Sequence, residues 1–217
     1  MRLISLRFRG SLLFGFVLAV PAVAGVAYAQ RAGCSEPDRP SLGVTVGRSS
    51  PYFYLDREAV VQGPSGSISV RSGWQVSGRS DVSIAGPWKV RVEGSSANWK
   101  VEVRTYDPAR NFELVATTPA GDVTARQIGA AIGLRGGRWP VCWNVLAGGG
   151  LYSLTFRDQT IRQPGFAITA GIEIPTGERG KVQVDVQLHL IDTDSRPPVS
   201  STTALAASLV GGWAYRF

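Results

Sequence analysis

From about residue 41 onward, apolar and polar residues alternate with a period of two, the spacing of a strand that shows one face to an apolar surround and the other to a polar one. Leu42, Val44 and Val46 alternate with Gly43, Thr45 and Gly47. Val82, Ile84, Trp88, Val90 and Val92 alternate with Lys89, Arg91 and Glu93, and Trp99, Val101 and Val103 with Lys100, Glu102 and Arg104. The pattern returns over Ile128–Leu134, over Phe166–Ile174 with Thr169, Gly171 and Glu173 between, and over Val182–Leu190 with Gln183, Asp185, Gln187 and His189 between. In the last segment Leu205, Leu209, Trp213, Tyr215 and Phe217 share one face. Strong helical periodicity does not appear, so the pattern predicts an all-β chain.

Alternation alone fits a soluble sandwich as well as a membrane barrel, because only the direction of the apolar face differs. Three features favour the barrel. The polar face carries charges of both signs, Lys89, Arg91, Glu93, Lys100, Glu102, Arg104, Glu173 and Asp185, which a narrow lumen would pair. The apolar face carries aromatics near strand ends (Trp88, Trp99, Trp143, Phe166, Trp213, Tyr215, Phe217), as interfacial girdles require. The polar face is also rich in Gly and Ala, which leave room for long side chains. Short turns are expected at 95–98, 136–141 and 175–180, with longer polar stretches at 49–81, 107–121, 158–164 and 192–203, the asymmetry of a barrel with tight turns on one side.

The first 29 residues read differently. Arg2, Arg7 and Arg9 precede an apolar stretch broken by Pro21, and Ala27-Tyr28-Ala29 offers a signal-peptidase site, with Gln30 as the new N-terminus. An uncleaved anchor is the alternative. Cleavage leaves about 188 residues, one domain, and lowers the net charge of +7 to about +4. No dense basic block with interleaved aromatics accompanies this mild excess, which argues against nucleic acid as a partner. Beyond the leader no run of about 18 apolar residues occurs, so any membrane crossing must be made by strands. Cys34 and Cys142, an even count in an exported chain, suggest a disulfide. Lipidation at Cys34 is the rival reading, and Arg31 stands where a lipobox has an apolar residue.

The C-terminal segment Leu205-Ala-Ala-Ser-Leu-Val-Gly-Gly-Trp-Ala-Tyr-Arg-Phe217 resembles the β-signal by which the outer-membrane assembly machinery recognises its clients, with Trp213, Tyr215 and Phe217 at alternate positions. The hairpin before it, Gly165–Pro175 and Lys181–Leu190, is similar to that of small barrels of the OmpA/OmpX/OmpW type. The resemblance covers roughly residues 80–217 as a pattern. It implies an up-and-down antiparallel transmembrane β-barrel over 41–217, a periplasmic N-terminal segment over 30–40, both termini in the periplasm, and residence in the outer membrane. Its partners would be outer-membrane lipids, the assembly machinery and periplasmic chaperones. Eight strands are expected, near 41–48, 82–94, 98–106, 122–136, 143–157, 165–175, 181–191 and 204–217. Residues 67–77 and 112–118 also alternate. They are expected to be extended parts of outer loops, and counting both as strands would give ten. Pro87 within a strand is anomalous. The outward phase changes from Trp143 and Val145 to Tyr152, Leu154 and Phe156, which a bulge at Gly148-Gly149-Gly150 would explain. In this topology Cys34 and Cys142 both fall on the periplasmic side, where a bridge would pin the N-terminal segment beneath the barrel.

Candidate chemistry is sparse. The single histidine, His189, shares the inward face with Asp185 and Gln187. A hydrolase would need a serine beside it, Ser153 or Ser208, or acids such as Asp192 and Asp194 at the rim. Neither the lipid A deacylase nor the omptin protease pattern is matched. Two cysteines 108 residues apart with one distant histidine lack metal-ligand spacing, no cofactor motif appears, and 176–180 reads as a turn. Three functions stay open: a structural or surface-interaction barrel with a side-chain-filled polar lumen, a small channel, and an enzyme acting on lipid A or peptides. Arg48, Arg57, Arg71, Arg110, Arg157, Arg162 and Arg196 fall at outer ends or loops, where they would either meet lipopolysaccharide phosphates or stay solvated.

Overall fold

The structure is a computed structural model that describes residues 34, 39–53, 55, 66–107, 113–138, 141–176, 178–194, 199, 201 and 203–217. The leader over 1–29, most of the 30–40 segment, Arg57, Arg110 and Arg196 lie outside the described residues. The fold is one antiparallel sheet of nine strands: β1 (Ser41–Tyr52), β2 (Gly66–Val70), β3 (Gly73–Ala85), β4 (Trp88–Asp107), β5 (Glu113–Arg138), β6 (Val141–Phe156), β7 (Gln159–Thr176), β8 (Gly180–Asp192) and β9 (Thr203–Arg216). Pairing runs β4-β3-β1-β9-β8-β7-β6-β5, and β5 pairs with β4 as well. Each of these eight strands therefore has a hydrogen-bonded neighbour on both sides, while β2 pairs, among the described residues, with the C-terminal part of β4 alone, through Gly66–Val70 against Thr105–Val101.

The strand count of nine differs from the eight or ten expected, for identifiable reasons. Residues 95–98 are not a turn. β4 runs unbroken through Ser95-Ser96-Ala97-Asn98, pairing there with both β3 and β5. Ser, Ala and Asn look like turn residues, but here they are small members of a long strand. Conversely, the residues read as an outer loop form β2 and most of β3, separated only by Arg71-Ser72. The turn between β3 and β4 is Gly86-Pro87, which explains the proline. Gly86 has φ +53°, as the first central position of a type II′ turn requires, and Pro87 follows where no ladder donor is needed. Residues 113–121, read as loop, extend β5, and 159–164 belong to β7, which a two-residue turn at Arg157-Asp158 joins to β6.

The false turn had a second consequence. A strand without a break keeps one phase, so Trp99 and Val101 share the buried face of Lys89, Arg91 and Glu93, and Lys100 points out, exposed. A one-residue difference in phase moves every side chain to the other face. The same holds for β6. No bulge interrupts it at Gly148–Gly150, where its register with β5 and β7 is continuous, so Tyr152, Leu154 and Phe156 are buried beside Cys142, Asn144 and Leu146.

The two ends of the sheet differ. One carries Ser41, Arg216, the Gly86-Pro87 turn and the β5–β6 and β7–β8 connections. There Cys34 and Cys142 form a disulfide with Cα atoms 5.7 Å apart. At the opposite end β4 and β5 continue well past the other strands. Beyond the Val123–Phe156 pair, β5 has no partner in β6, and β2, β4 and β5 make a three-stranded ribbon. A bulge at Gly121 (φ +124°) interrupts its register.

The phase of β4 is testable. In a Cys34→Ser/Cys142→Ser background, Lys100→Cys in the folded, detergent-solubilised protein should react with a water-soluble maleimide, and Val101→Cys should react only after unfolding. The reverse labelling would restore a break at 95–98.

Candidate functional site

The buried face is built in layers. Nearest the disulfide, β3 contributes Arg79 and Asp81, β4 Lys89 and Arg91, β5 Arg135, β7 Glu173, and β8 Lys181 and Asp185, all at alternate positions facing one another. Arg91 lies at the centre, 2% exposed. Its Nε donates to Asp81 at 2.7 Å and its Nη1 to Asp185 at 2.9 Å. Arg79 also pairs with Asp185, and Lys89 bridges Glu173 and Asp81, the latter at 2.8 Å. Lys181 Nζ stands 3.4 Å from Asp81 and 3.5 Å from Glu173, and Arg135 Nε 3.4 Å from Glu173. Arg135 ties this cluster to the disulfide by donating to the Cys34 carbonyl at 3.1 Å. Buried charge is tolerated here because each cation faces more than one carboxylate or a carboxylate shared by its neighbours.

Space for these long side chains comes from the strands that lie between β4 and β7 in the pairing order. β5 and β6 present Gly129, Ala131, Gly133, Gly148 and Gly150 on the same face. At Gly171 a β-carbon would overlap the Asp185 carboxylate, so the residue beside the central anion must be glycine.

A second layer is polar and holds the Glu93 carboxylate. Gln187 donates to Glu93 at 2.9 Å and accepts from Gln75 at 2.8 Å, while Ser208 donates to Gln75 at 2.7 Å and sits 2.9 Å from Ser49. Thr45 and Ser77 bond beside them, and the Tyr152 hydroxyl meets His189 Nδ1 at 3.1 Å. Two voids against this layer measure about 20 Å³ each, room for a single water apiece.

The third layer is apolar. Trp99, Val101, Val123, Tyr152, Leu154, Phe156, Ile161 and Ile191 pack together with Phe53, Leu55 and Val199 from the connecting segments. Phe53 meets Trp99 edge-on at 5.7 Å, and Leu55 bridges to Val199. The sheet interior therefore changes from an ion-pair cluster to a hydrogen-bonded polar layer to an apolar one along its length.

The outer face is the inverse. Val44, Val46, Trp74, Val76, Ile128, Leu151, Leu209 and Trp213 are each at least half exposed, and comparable apolar residues occur on every strand of the ring of pairings. No protein-family model matches the sequence, and no curated protein matches it either. Solved structures do. The Neisserial surface protein A aligns with 82% of this chain and 97% of its own at a TM-score of 0.55 and 12% identity. The outer membrane protein OprG from Pseudomonas aeruginosa aligns with 85% of this chain and 98% of its own at 0.52 and 14%. The fold is that of outer-membrane β-barrel proteins. At these identities the likeness concerns fold alone.

Of the residues expected on a charged inner face, Lys89, Arg91, Glu93, Glu173, Asp185 and His189 come together there. Lys100, Glu102 and Arg104 do not. Lys100 is exposed opposite Asp122, Glu102 pairs with Arg71 at 2.6 Å on the ribbon, and Arg104 lies opposite Ser67, because continuous β4 inverts their phase. Arg79, Asp81, Arg135 and Lys181 were missed. The signal for the first two was present: Gln75, Ser77, Arg79 and Asp81 alternate with Trp74, Val76 and Val82, but the stretch was read as loop. His189 faces Tyr152 rather than a serine, Ser208 bonds Ser49 and Gln75, and Ser153 shares the outward parity of Leu151. Among the described residues no group of His, Cys, Asp and Glu is disposed to hold a metal ion. Trp213, Tyr215 and Phe217 stack along the outer face of β9, with ring centroids 6.1 and 5.3 Å apart.

Arg91→Ala removes the guanidinium that joins Asp81 to Asp185 but leaves Lys89 and Lys181 on the first and Arg79 on the second, so unfolding stability should fall by about 2–3 kcal/mol. Urea titration monitored by tryptophan fluorescence measures this. A loss under about 1 kcal/mol would mean the cluster is hydrated and screened, as exposed pairs are.

Proposed function

We propose that this chain is an outer-membrane barrel with a blocked lumen and a structural or surface-interaction role. The observation that carries the reading is the inversion of the usual rule for burial: large apolar side chains cover the outside while paired charges fill the inside. A water-soluble protein rarely exposes contiguous apolar surface beyond a few hundred Å², whereas a lipid-facing wall requires it. On this reading the β4–β5 pairing closes the sheet into a ring of eight, with β2 and β3 acting together as one staggered strand against β4. Closure removes the open edge that lipid does not tolerate. β7 presents apolar residues outward from Pro164 to Ile174, about 33 Å along the strand at about 3.3 Å per residue, or about 25 Å of height at a tilt near 40°. That matches the apolar band of such barrels.

On this reading the disulfide end faces the periplasm after removal of the 1–29 leader, and Trp213, Tyr215 and Phe217 serve as the signal to the assembly machinery. The long ribbon stands outside the cell. Its exposed Leu114 and Val115, and an outer edge that pairs with no strand among the described residues, suit it for contact with another molecule. The channel reading is disfavoured because the ionic layer and the apolar plug stand in series across the lumen, and the enzyme reading because His189 bonds the Tyr152 hydroxyl rather than a serine or a carboxylate among the described residues.

The purified protein reconstituted into planar bilayers should show no discrete conductance steps at neutral pH. Regular single-channel steps, abolished by bulky substitution at Gly129 or Gly150, would reject the blocked lumen and establish the channel.

A further inference from the structure

The outward wall changes character abruptly between two adjacent cross-strand rows. One row is apolar, with Ile128 of β5, Leu151 of β6 and Pro164 of β7 at neighbouring positions. The next row toward the ribbon holds Arg126, Ser153 and Arg162 on the same three strands, with Arg126 opposite Ser153 and Ser153 opposite Arg162. Both arginines are exposed, and neither has a carboxylate partner among the described residues. These six residues line one groove of about 340 Å³ on the outer surface. The row beyond is neutral and polar, with Thr155 and Thr160 bonded to each other at 3.0 Å. Neighbouring strands lie about 4.8 Å apart, so the arginine backbones are separated by about 10 Å. Two long guanidinium arms can close on one anion above Ser153.

We infer that this groove is a binding site for a phosphate-bearing lipid of the outer leaflet, of the lipid A type. The inference rests on the outer-membrane reading above. The bilayer boundary on this side of the barrel falls between the two rows, which is the level of the phosphates. Arg126 and Arg162 donate paired, charge-assisted hydrogen bonds to phosphate oxygens, the Ser153 hydroxyl adds a third donor, and acyl chains lie along Ile128, Leu151 and Pro164 toward Phe166. Arg162 was among the arginines singled out in the sequence. Arg126 was not, because only the register of β5 against β6 shows that it completes the pair. Arg48, by contrast, lies over the ring of Trp74 on a distant strand, 5.3 Å from its centroid, and belongs to no such groove.

The test is binding of bisphosphorylated lipid A to the full mature protein in detergent micelles, read as lipid adducts by native mass spectrometry. Arg126→Gln/Arg162→Gln should weaken binding about tenfold or more, Arg48→Gln should leave it unchanged, and enzymatically dephosphorylated lipid A should bind wild type about as weakly as the intact lipid binds the double variant. Equal binding of the dephosphorylated lipid would overturn the proposal in favour of a purely apolar groove. Equal loss on Arg48→Gln would overturn it in favour of diffuse surface charge. Displacement of lipid A by millimolar inorganic phosphate would reduce the groove to a simple anion site and overturn the lipid assignment. Recovery of both variants in the outer-membrane fraction reports on the barrel reading separately. A wild-type protein absent from that fraction fails that reading, whatever the lipid does.

Discussion

The constraint on which the rest depends is backbone pairing. A strand surrounded by hydrocarbon has no water to satisfy its N–H and C=O groups, so each must find a neighbour on both sides. Eight of the strands do so through an unbroken circuit of antiparallel ladders. Once the backbone is satisfied this way, the period-two geometry of a strand sends alternate side chains to two different solvents. Valine, isoleucine, leucine and tryptophan take the outer positions, and polar residues take the inner ones. The sequence pattern and the architecture are the same fact at two scales.

The interior must then solve a problem of its own. Side chains fill the interior of the sheet and leave voids of only about 20 Å³ beside the charges, so charges placed there must pair with one another. Arg91, shared between Asp81 and Asp185, and Lys89, shared between Asp81 and Glu173, do this with carboxylates from β3, β7 and β8. Such a cluster is poor evidence for added stability, since burying ions costs about what their attraction returns. Its value here lies in register: a slip of any contributing strand by one residue would turn its charges onto the apolar outer face. Glycine on neighbouring strands is part of the same solution, most directly at Gly171 of β7, the cross-strand partner of Asp185. Toward the other end, Trp99, Tyr152 and Phe156 replace ions with an apolar plug into which Phe53 and Leu55 fold.

How much of this was legible in the sequence depended on strand continuity. The outward rows of β1, β8 and β9 could be read directly, because their alternation is uninterrupted and their ends are marked by polar turns. The charged inner positions of β4, β7 and β8 followed. What failed was punctuation. Ser95-Ser96-Ala97-Asn98 has turn composition but pairs on both edges, and the tertiary ladder overrides local propensity. Gly86-Pro87, the true turn, was hidden inside an apparently continuous run. These two misreadings inverted the upper half of β4, which put Lys100, Glu102 and Arg104 on the wrong face and left out Arg79 and Asp81. The phase of β6 was misjudged for a different reason. Tyr152, Leu154 and Phe156 look lipid-facing only if the lumen is assumed polar throughout, and the apolar plug removes that assumption.

The central claim, that the apolar face looks outward into a membrane and the charges look in, is tested most directly by heat-modifiable electrophoretic mobility of the protein extracted from the outer-membrane fraction. A barrel closed by continuous ladders stays compact in detergent until heated, so unheated and boiled samples should run as two distinct bands. Identical migration before and after boiling, with the protein recovered in the soluble periplasmic fraction, would contradict the account and return the chain to the class of soluble β-sandwiches.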